Sequence, residues 1–309
     1  MQNKLFQITD SIHETIYLSG FERELMSTPY FNRLHDVYQS STVYMTFPSN
    51  RTKRYEHSLG TMQLTNDIFF NAFANAESDT IDVFFDELSK RACNILDKLS
   101  KDSNYSPVDY PSNAKDIIDK YMRKSSDEYI NILKNNYGEL RDITLEKYTN
   151  RWYSSDDYRS ILYNILLQAV RIVGLLHDIG HPPYSHIVES VLKSIYSDVV
   201  SIEAKTSRQQ NFCEILSNFI GKQSGVCDAI VKKSAILDEN SYITPDDLHE
   251  SIGIKLTHSS LRQVINERFN YIPTLSTDKN NNEKAMAKII HYTMLYEFVF
   301  SILLNKDIF

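Results

Sequence analysis

The chain has 309 residues, 42% of them hydrophobic, and 33 basic against 40 acidic side chains give a formal net charge of −7. That length suits one large domain or two small ones with a proper core, and the acidic balance argues against broad, nonspecific binding to nucleic acid or an anionic membrane, although a local basic pocket survives easily in an acidic protein. Gly and Pro number eight each against 20 Tyr and 15 Phe, which favours helices over strand-and-turn architecture.

Residues 5–20 partly alternate apolar and polar side chains and predict a short hairpin, with His13 as a turn histidine rather than a ligand. Thr28-Pro29 opens a helix, proline being tolerated in the first turn, and Phe31, Leu34, Val37 and Tyr38 give it an apolar face. Residues 42–48 read as extended. From His57 a helix runs through Leu64, Ile68, Phe69, Ala72 and Phe73. Residues 76–155 change in character: Lys, Asp, Asn and Ser dominate, amphipathic runs cover 81–99, 114–124 and 128–137, and Ser106-Pro107 and Tyr110-Pro111 punctuate them. Ile161, Leu162, Ile165, Leu166, Ala169, Ile172, Val173 and Leu176 then repeat at three- and four-residue steps as a buried helix, which Gly180 and Pro182-Pro183 end. A helix over 187–195, a polar loop over 197–211, helices over 211–237 and 259–272, and a long apolar helix from Ile289 to Leu303 complete the chain. The predicted fold is therefore mainly α, a helical bundle with a small N-terminal β-hairpin. It divides into a hairpin and first part of the core (1–75), a helical insertion (76–155), and the remainder of the core (156–309).

Cys93, Cys213 and Cys227 form no CxxC and are odd in number, so they read as reduced thiols. The first ten residues lack the apolar stretch of a signal peptide, and the longest apolar helices are interrupted by Asn164, Gln168, Arg171 or Glu297, so no membrane span is expected. A cytoplasmic location follows as the expectation.

The chemistry concentrates between His177 and His186, where three histidines and one aspartate fall within ten residues. His177 and Asp178 close a buried helix. Neighbours on a helix point about 100° apart, so both reach one ion only at a helix end or against a concave wall. Imidazole nitrogen plus carboxylate oxygen suits zinc, iron, manganese, cobalt or nickel better than calcium. A lone histidine here would read as a hydrogen-bonded core residue; the His-Asp pair followed by Gly-His-Pro-Pro-Tyr-Ser-His favours ligation. Arg54, three residues before His57, offers the planar fork that matches phosphate oxygens, against the blander reading of a solvated surface charge.

The run Leu176-His-Asp-Ile-Gly-His-Pro-Pro-Tyr-Ser-His186 closely resembles the central motif of the HD-superfamily phosphohydrolases, in particular the deoxynucleoside triphosphate triphosphohydrolases, and Arg54-Tyr-Glu-His57-Ser-Leu-Gly60 resembles that family's R-F-E-H-S-L-G segment. Ile8-Thr-Asp10-Ser-Ile12-His13 is similar to its entrance, and Asn32-Arg33-Leu34 with Gln39 to its Q-R-L-x-x-x-x-Q helix. The resemblance implies an HD-domain bundle in which His57, His177 and Asp178 hold a divalent metal ion (Mn, Fe, Mg, Zn, Co or Ni). It gives Arg54 to a phosphate and Gln39 to the nucleotide sugar, with Ser40 standing where the family usually carries a leucine that crowds a 2′-hydroxyl. His181 and His249 would stabilise phosphates or act as general acid, His249 lying in Leu248-His-Glu-Ser-Ile-Gly253, similar to the family's K-H-E segment. His186 and Glu189 would support them. The family's D-x-D-x-x-D-Y segment, which supplies the last metal ligand, has no match after the final helix; Asp307 is the nearby acid, and a partner chain is one source of the missing motif. The implied reaction is attack at the α-phosphorus of a dNTP, giving deoxynucleoside and triphosphate, in a homo-oligomer. Two alternatives stand beside it: an HD phosphodiesterase, phosphatase or nuclease acting on another nucleotide or on single-stranded nucleic acid, and a catalytically impaired nucleotide-binding or assembly module.

Overall fold

The computed structural model describes residues 6–10, 12–102, 105–140, 157–184, 187–188, 191, 248–272 and 275–304. In chain order its elements are β1 (Phe6–Asp10), β2 (Glu14–Leu18), α1 (Gly20–Met26), α2 (Pro29–Asn32), α3 (Arg54–Asn75), α4 (Ser78–Lys101), α5 (Ser112–Tyr121), α6 (Ser126–Asn136), α7 (Tyr158–Leu176), α8 (Leu248–Phe269) and α9 (Lys279–Leu303). The protein is mainly helical with one two-stranded antiparallel hairpin at the N-terminus, as composition and periodicity predict. It divides into two compact units, one made of residues 1–27, 59–175 and 261–309, the other of 28–58 and 176–260.

In the first unit β1 pairs with β2 in a register that sets Phe6 opposite Leu18 and Asp10 opposite Glu14. Asp10 closes the turn, its carboxylate accepting from the backbone N–H groups of Ile12 (2.9 Å) and His13 (2.8 Å). His13 is a turn histidine whose ring lies over Gly60; a Cβ added there would come within 2.6 Å of its Nε2. The short helix α1 follows, capped reciprocally: Glu22 N–H donates to Ser19 Oγ at 3.0 Å, and Ser19 N–H donates to Glu22 Oε2 at 2.9 Å.

Helix α7 is buried on every side from Ile161 to Ala169, the signature of a central core helix. Its Arg171, 1% exposed, donates to Glu22 Oε1 (2.6 Å), Glu22 Oε2 (2.9 Å), the Tyr17 carbonyl (2.7 Å) and Asn66 Oδ1 (3.0 Å), so one side chain ties α7 to β2, α1 and α3. Gly174 lets α7 approach α3 closely, since a Cβ there would meet Met62 Cα at 3.0 Å and the Thr61 carbonyl oxygen at 3.2 Å. Helices α4 to α6, the described helices of the 76–155 segment, belong to this same unit and pack on α9. Tyr105 donates to Glu297 (2.6 Å), Tyr110 bonds Thr293, and Arg91 bonds Ser301.

Two helices, α7 and α9, contain a window long and apolar enough to cross a membrane, where the sequence reading expected none. Those windows are 83% and 61% buried within the protein, as core helices are.

In the second unit the helix at Thr28-Pro29 is shorter than its apolar spacing suggests. It lasts four residues and tightens into a 3-10 turn over Arg33–Asp36. A one-residue bridge then pairs Tyr38 with Lys53, flanked by Gln39 N–H to the Thr52 carbonyl (2.9 Å) and Arg54 N–H to the Val37 carbonyl (2.8 Å). Between these anchors the 42–48 stretch is not extended but holds a 3-10 turn over Val43–Met45. The reason is that Val43, Met45 and Phe47 are all exposed, so an alternating strand has no face to bury there.

Candidate metal centre

The metal-centre residues all belong to the second unit. Arg54 to His57 form the first turn of α3, so Arg54 and His57 share a helix face three residues apart. On the other side α7 stops at Leu176 and the chain turns through two tight i→i+3 hydrogen bonds, Ile179 N–H to Leu176 O (3.0 Å) and His181 N–H to Asp178 O (3.1 Å). In this turn His177, Asp178 and His181 lie together, with Nε2 of each histidine 3.3 Å from Asp178 Oδ1.

Asp178, 7% exposed, is the centre. Its Oδ1 lies 3.3 Å from His177 Nε2 and 3.3 Å from His181 Nε2; its Oδ2 lies 3.5 Å from His57 Nε2 and is bonded by Arg54. The His57 and His177 rings meet edge to face with centroids 5.2 Å apart. One ligand atom from each of His57, His177 and Asp178 can be chosen so that all lie within 4.8 Å of one another, and the group could hold a metal ion. An ion with ligand distances of about 2.1 Å needs donors roughly 3–4 Å apart; His57 lies at 3.5 Å from Oδ2 and His177 at 3.3 Å from Oδ1, so each is in range of one oxygen of Asp178.

The electrostatics also suit a cation. Burial lowers the His57 pKa, against the pull of Asp178, and keeps the imidazole neutral with a lone pair to give. Burial alone would raise Asp178, but the His181 hydrogen bond and the charges of His177 and Arg54 outweigh it and hold the carboxyl far below its usual range. Ligands must be deprotonated before they bind, and the shifts at His57 and Asp178 both favour that form. Nitrogen, nitrogen and oxygen donors fit zinc, manganese, iron, cobalt or nickel.

The sequence-predicted residues are distributed as follows. His57, His177, Asp178 and His181 come together. Arg54 joins them, 2% exposed and bonded to Asp178, so in this state it orients a ligand. Gln39 follows Tyr38, the bridge partner of Lys53, and bonds Thr52 through its backbone N–H; its Oε1 is buried with no hydrogen-bond partner for that atom among the described residues. His249 falls in the first turn of α8. Four residues on, Gly253 packs against Gly180, a Cβ there lying 3.7 Å from its backbone. His186, Glu189 and Asp307 lie outside the described residues. The residue the sequence did not single out is Arg33. Its Nη1 donates to the His181 carbonyl at 2.7 Å and its Nη2 to the Ile179 carbonyl. Burial and the nearby Arg54 push its pKa down to about 10. Its only sequence signal is its place in the segment similar to the family's Q-R-L, because its partners are backbone atoms 146 and 148 residues away.

No protein-family model matches the chain. An uncharacterized protein of Methanocaldococcus jannaschii is 40% identical over 70 residues, which cover 23% of this chain and 16% of that protein's length. That similarity is confined to a segment and brings no function with it.

Proposed function

We propose that the chain is an HD-type, metal-dependent phosphohydrolase acting on nucleotide phosphates, with dNTP hydrolysis to deoxynucleoside and triphosphate as the leading reaction. The observation that carries the reading is the convergence of His57, His177 and Asp178, with His181 and Arg54 bonded to the same carboxylate. Three protein ligands leave coordination positions open, as catalytic sites do, where structural sites close with four. A divalent ion held there supplies Lewis-acid polarisation of a phosphoryl group.

The charges point to a polyanionic substrate. Among Arg33, Arg54, His57, His177, Asp178 and His181, Asp178 is the one anion, against two permanently charged guanidiniums. With a divalent ion added and the imidazoles neutral, the cluster carries three net positive charges, in a chain whose total is −7. Such a focused positive field raises the local concentration of phosphate-bearing ligands. His181, held by Asp178 and 6% exposed, has a fixed ring orientation, which suits proton transfer to a leaving oxygen. Gln39 keeps the sugar role the resemblance gives it, and its buried acceptor with no partner supports that reading because such an atom gains from a hydroxyl donor.

The test is metal analysis of the purified full-length chain, followed by a panel of dNTPs, NTPs, phosphomonoesters and single-stranded oligonucleotides with chromatographic product detection. Triphosphate release is expected. Release of orthophosphate or nucleoside monophosphate moves the activity to the phosphatase or diesterase class. Bound metal and nucleotide without turnover moves the protein to the non-catalytic class. Full turnover by His177→Ala overturns the site.

A further inference from the structure

The turn that carries the ligands has a weak point. Gly180 lies between Asp178 and His181 and has no side chain to hold its torsions, and glycine loses more freedom on ordering than any other residue. The carbonyls on either side, those of Ile179 and His181, belong to residues 0% and 6% exposed, and buried carbonyls require a donor. Both are met by one side chain, Arg33, whose two terminal nitrogens reach one carbonyl each. A guanidinium is planar and rigid, so its two donors sit at a set spacing and impose that spacing on what they bind.

We infer that Arg33 is a positioning residue that clamps the Ile179–His181 turn around Gly180 and thereby sets the separation of Asp178 from His181 in the metal centre. The inference rests on the metal reading above and assigns Arg33 no contact with substrate. It opposes what charge alone dictates. A guanidinium beside a metal cluster repels a cation, so a residue acting only through its charge weakens metal binding, and its removal strengthens it. A clamp does the reverse, because outer-shell partners that orient ligands typically contribute about 10–100-fold in metal affinity.

The experiment is titration of the full-length chain with Mn2+ and with Co2+, the latter followed by its visible absorption, for the wild type, Arg33→Met, Arg33→Lys and His177→Ala, with urea unfolding of each in parallel. Arg33→Met keeps much of the stem and removes the donors. It is expected to bind about 10–100-fold more weakly than wild type and to show an altered Co2+ spectrum, with its unfolding transition still cooperative. Arg33→Lys keeps the charge but not the fork, and is expected to fall on the weakened side as well. It also decides the matter should Arg33→Met fail to fold. Wild-type affinity and spectrum in the Lys variant, or tighter binding in the Met variant, overturn the clamp while leaving the metal centre intact. Wild-type metal binding by His177→Ala overturns the metal reading itself, and the clamp falls with it.

Discussion

Replacing Asp178 with Asn tests the centre most directly, because one carboxylate serves the fold and the metal together. In the metal-free protein Asp178 answers Arg54, whose side chain is 3% exposed, and it faces three imidazoles at 3.3–3.5 Å. Breaking a buried ion pair by removing one partner costs about 3–5 kcal/mol. The Asn oxygen still accepts one hydrogen bond, which returns about 1 kcal/mol, so the expected loss is about 2–4 kcal/mol. His57→Ala and His177→Ala, whose side chains are 38% and 31% exposed, are expected to cost no more than about 1 kcal/mol. Metal binding adds a further loss to all three without changing that order. At a hundredfold excess over Kd, an ion that binds only the folded state adds about 2.7 kcal/mol, and all three variants should lose that increment. The assay is urea unfolding with EDTA and again with Mn2+. Asp178→Asn as stable as wild type in EDTA would refute the buried-pair argument, and an undiminished Mn2+ increment would refute its role as a ligand.

Other predictions concern the first unit. Arg171→Met leaves Glu22, 0% exposed, without its cation and should cost about 3–5 kcal/mol; a urea-derived loss under about 1 kcal/mol would count against the network. Gly174→Ala sets a Cβ 3.0 Å from Met62 Cα, which as backbone cannot move aside, and should destabilise by about 1–3 kcal/mol despite alanine's better helix propensity. Gly138→Ala, with nothing within 4 Å of the new methyl, should be neutral; equal effects at the two positions would remove the packing argument. His291, 5% exposed, has its pKa pushed down to about 3 by burial and by Arg268. Its unfolded value of about 6.5 lies higher, so the unfolded chain takes the proton first as the pH falls. Stability from this group is complete above about pH 6.5 and is lost progressively towards pH 3, about 3 kcal/mol of it by pH 4.5. His291→Phe should flatten that decline, and parallel pH profiles for variant and wild type would rule the histidine out as its cause.

What was legible in the sequence was whatever residue type and short spacing decide. The hairpin, the buried α7 and the apolar α9 are periodic over many residues. The His177-Asp178 pair and His57 are chemically unusual where they stand, and the structure brings them together. Helix α1 escaped notice because seven residues give too little periodicity, although the Ser19…Glu22 spacing is a capping-box signature. The 42–48 stretch misled because β-branched and aromatic side chains favour strands only when a face is available for burial, and no local pattern reports that. Arg33, and the carboxylate partner of Arg54, lay beyond reach for a related reason. An arginine three residues from a histidine carries the same letter whether it faces a phosphate, solvent or a buried carboxylate, and only the long-range contact tells them apart.

The acceptor capacity of Asp178 adds a direction to the site. An ionised carboxylate offers about four lone-pair positions; Arg54 and His181 donate to this one, and the Nε2 atoms of His57 and His177 lie 3.5 Å and 3.3 Å from its two oxygens. Arg54 and His181, with side chains 3% and 7% exposed, are enclosed by packing, whereas His57 and His177, at 38% and 31%, open to solvent. The two exposed imidazoles are also the two that would become ligands, and they form the solvent-facing side of the centre against a buried inner side. If the site takes a metal ion as proposed, the exposed side at His57 and His177 is its route from solvent, so bulky substitutions of those two histidines should slow metal uptake as well as weaken it.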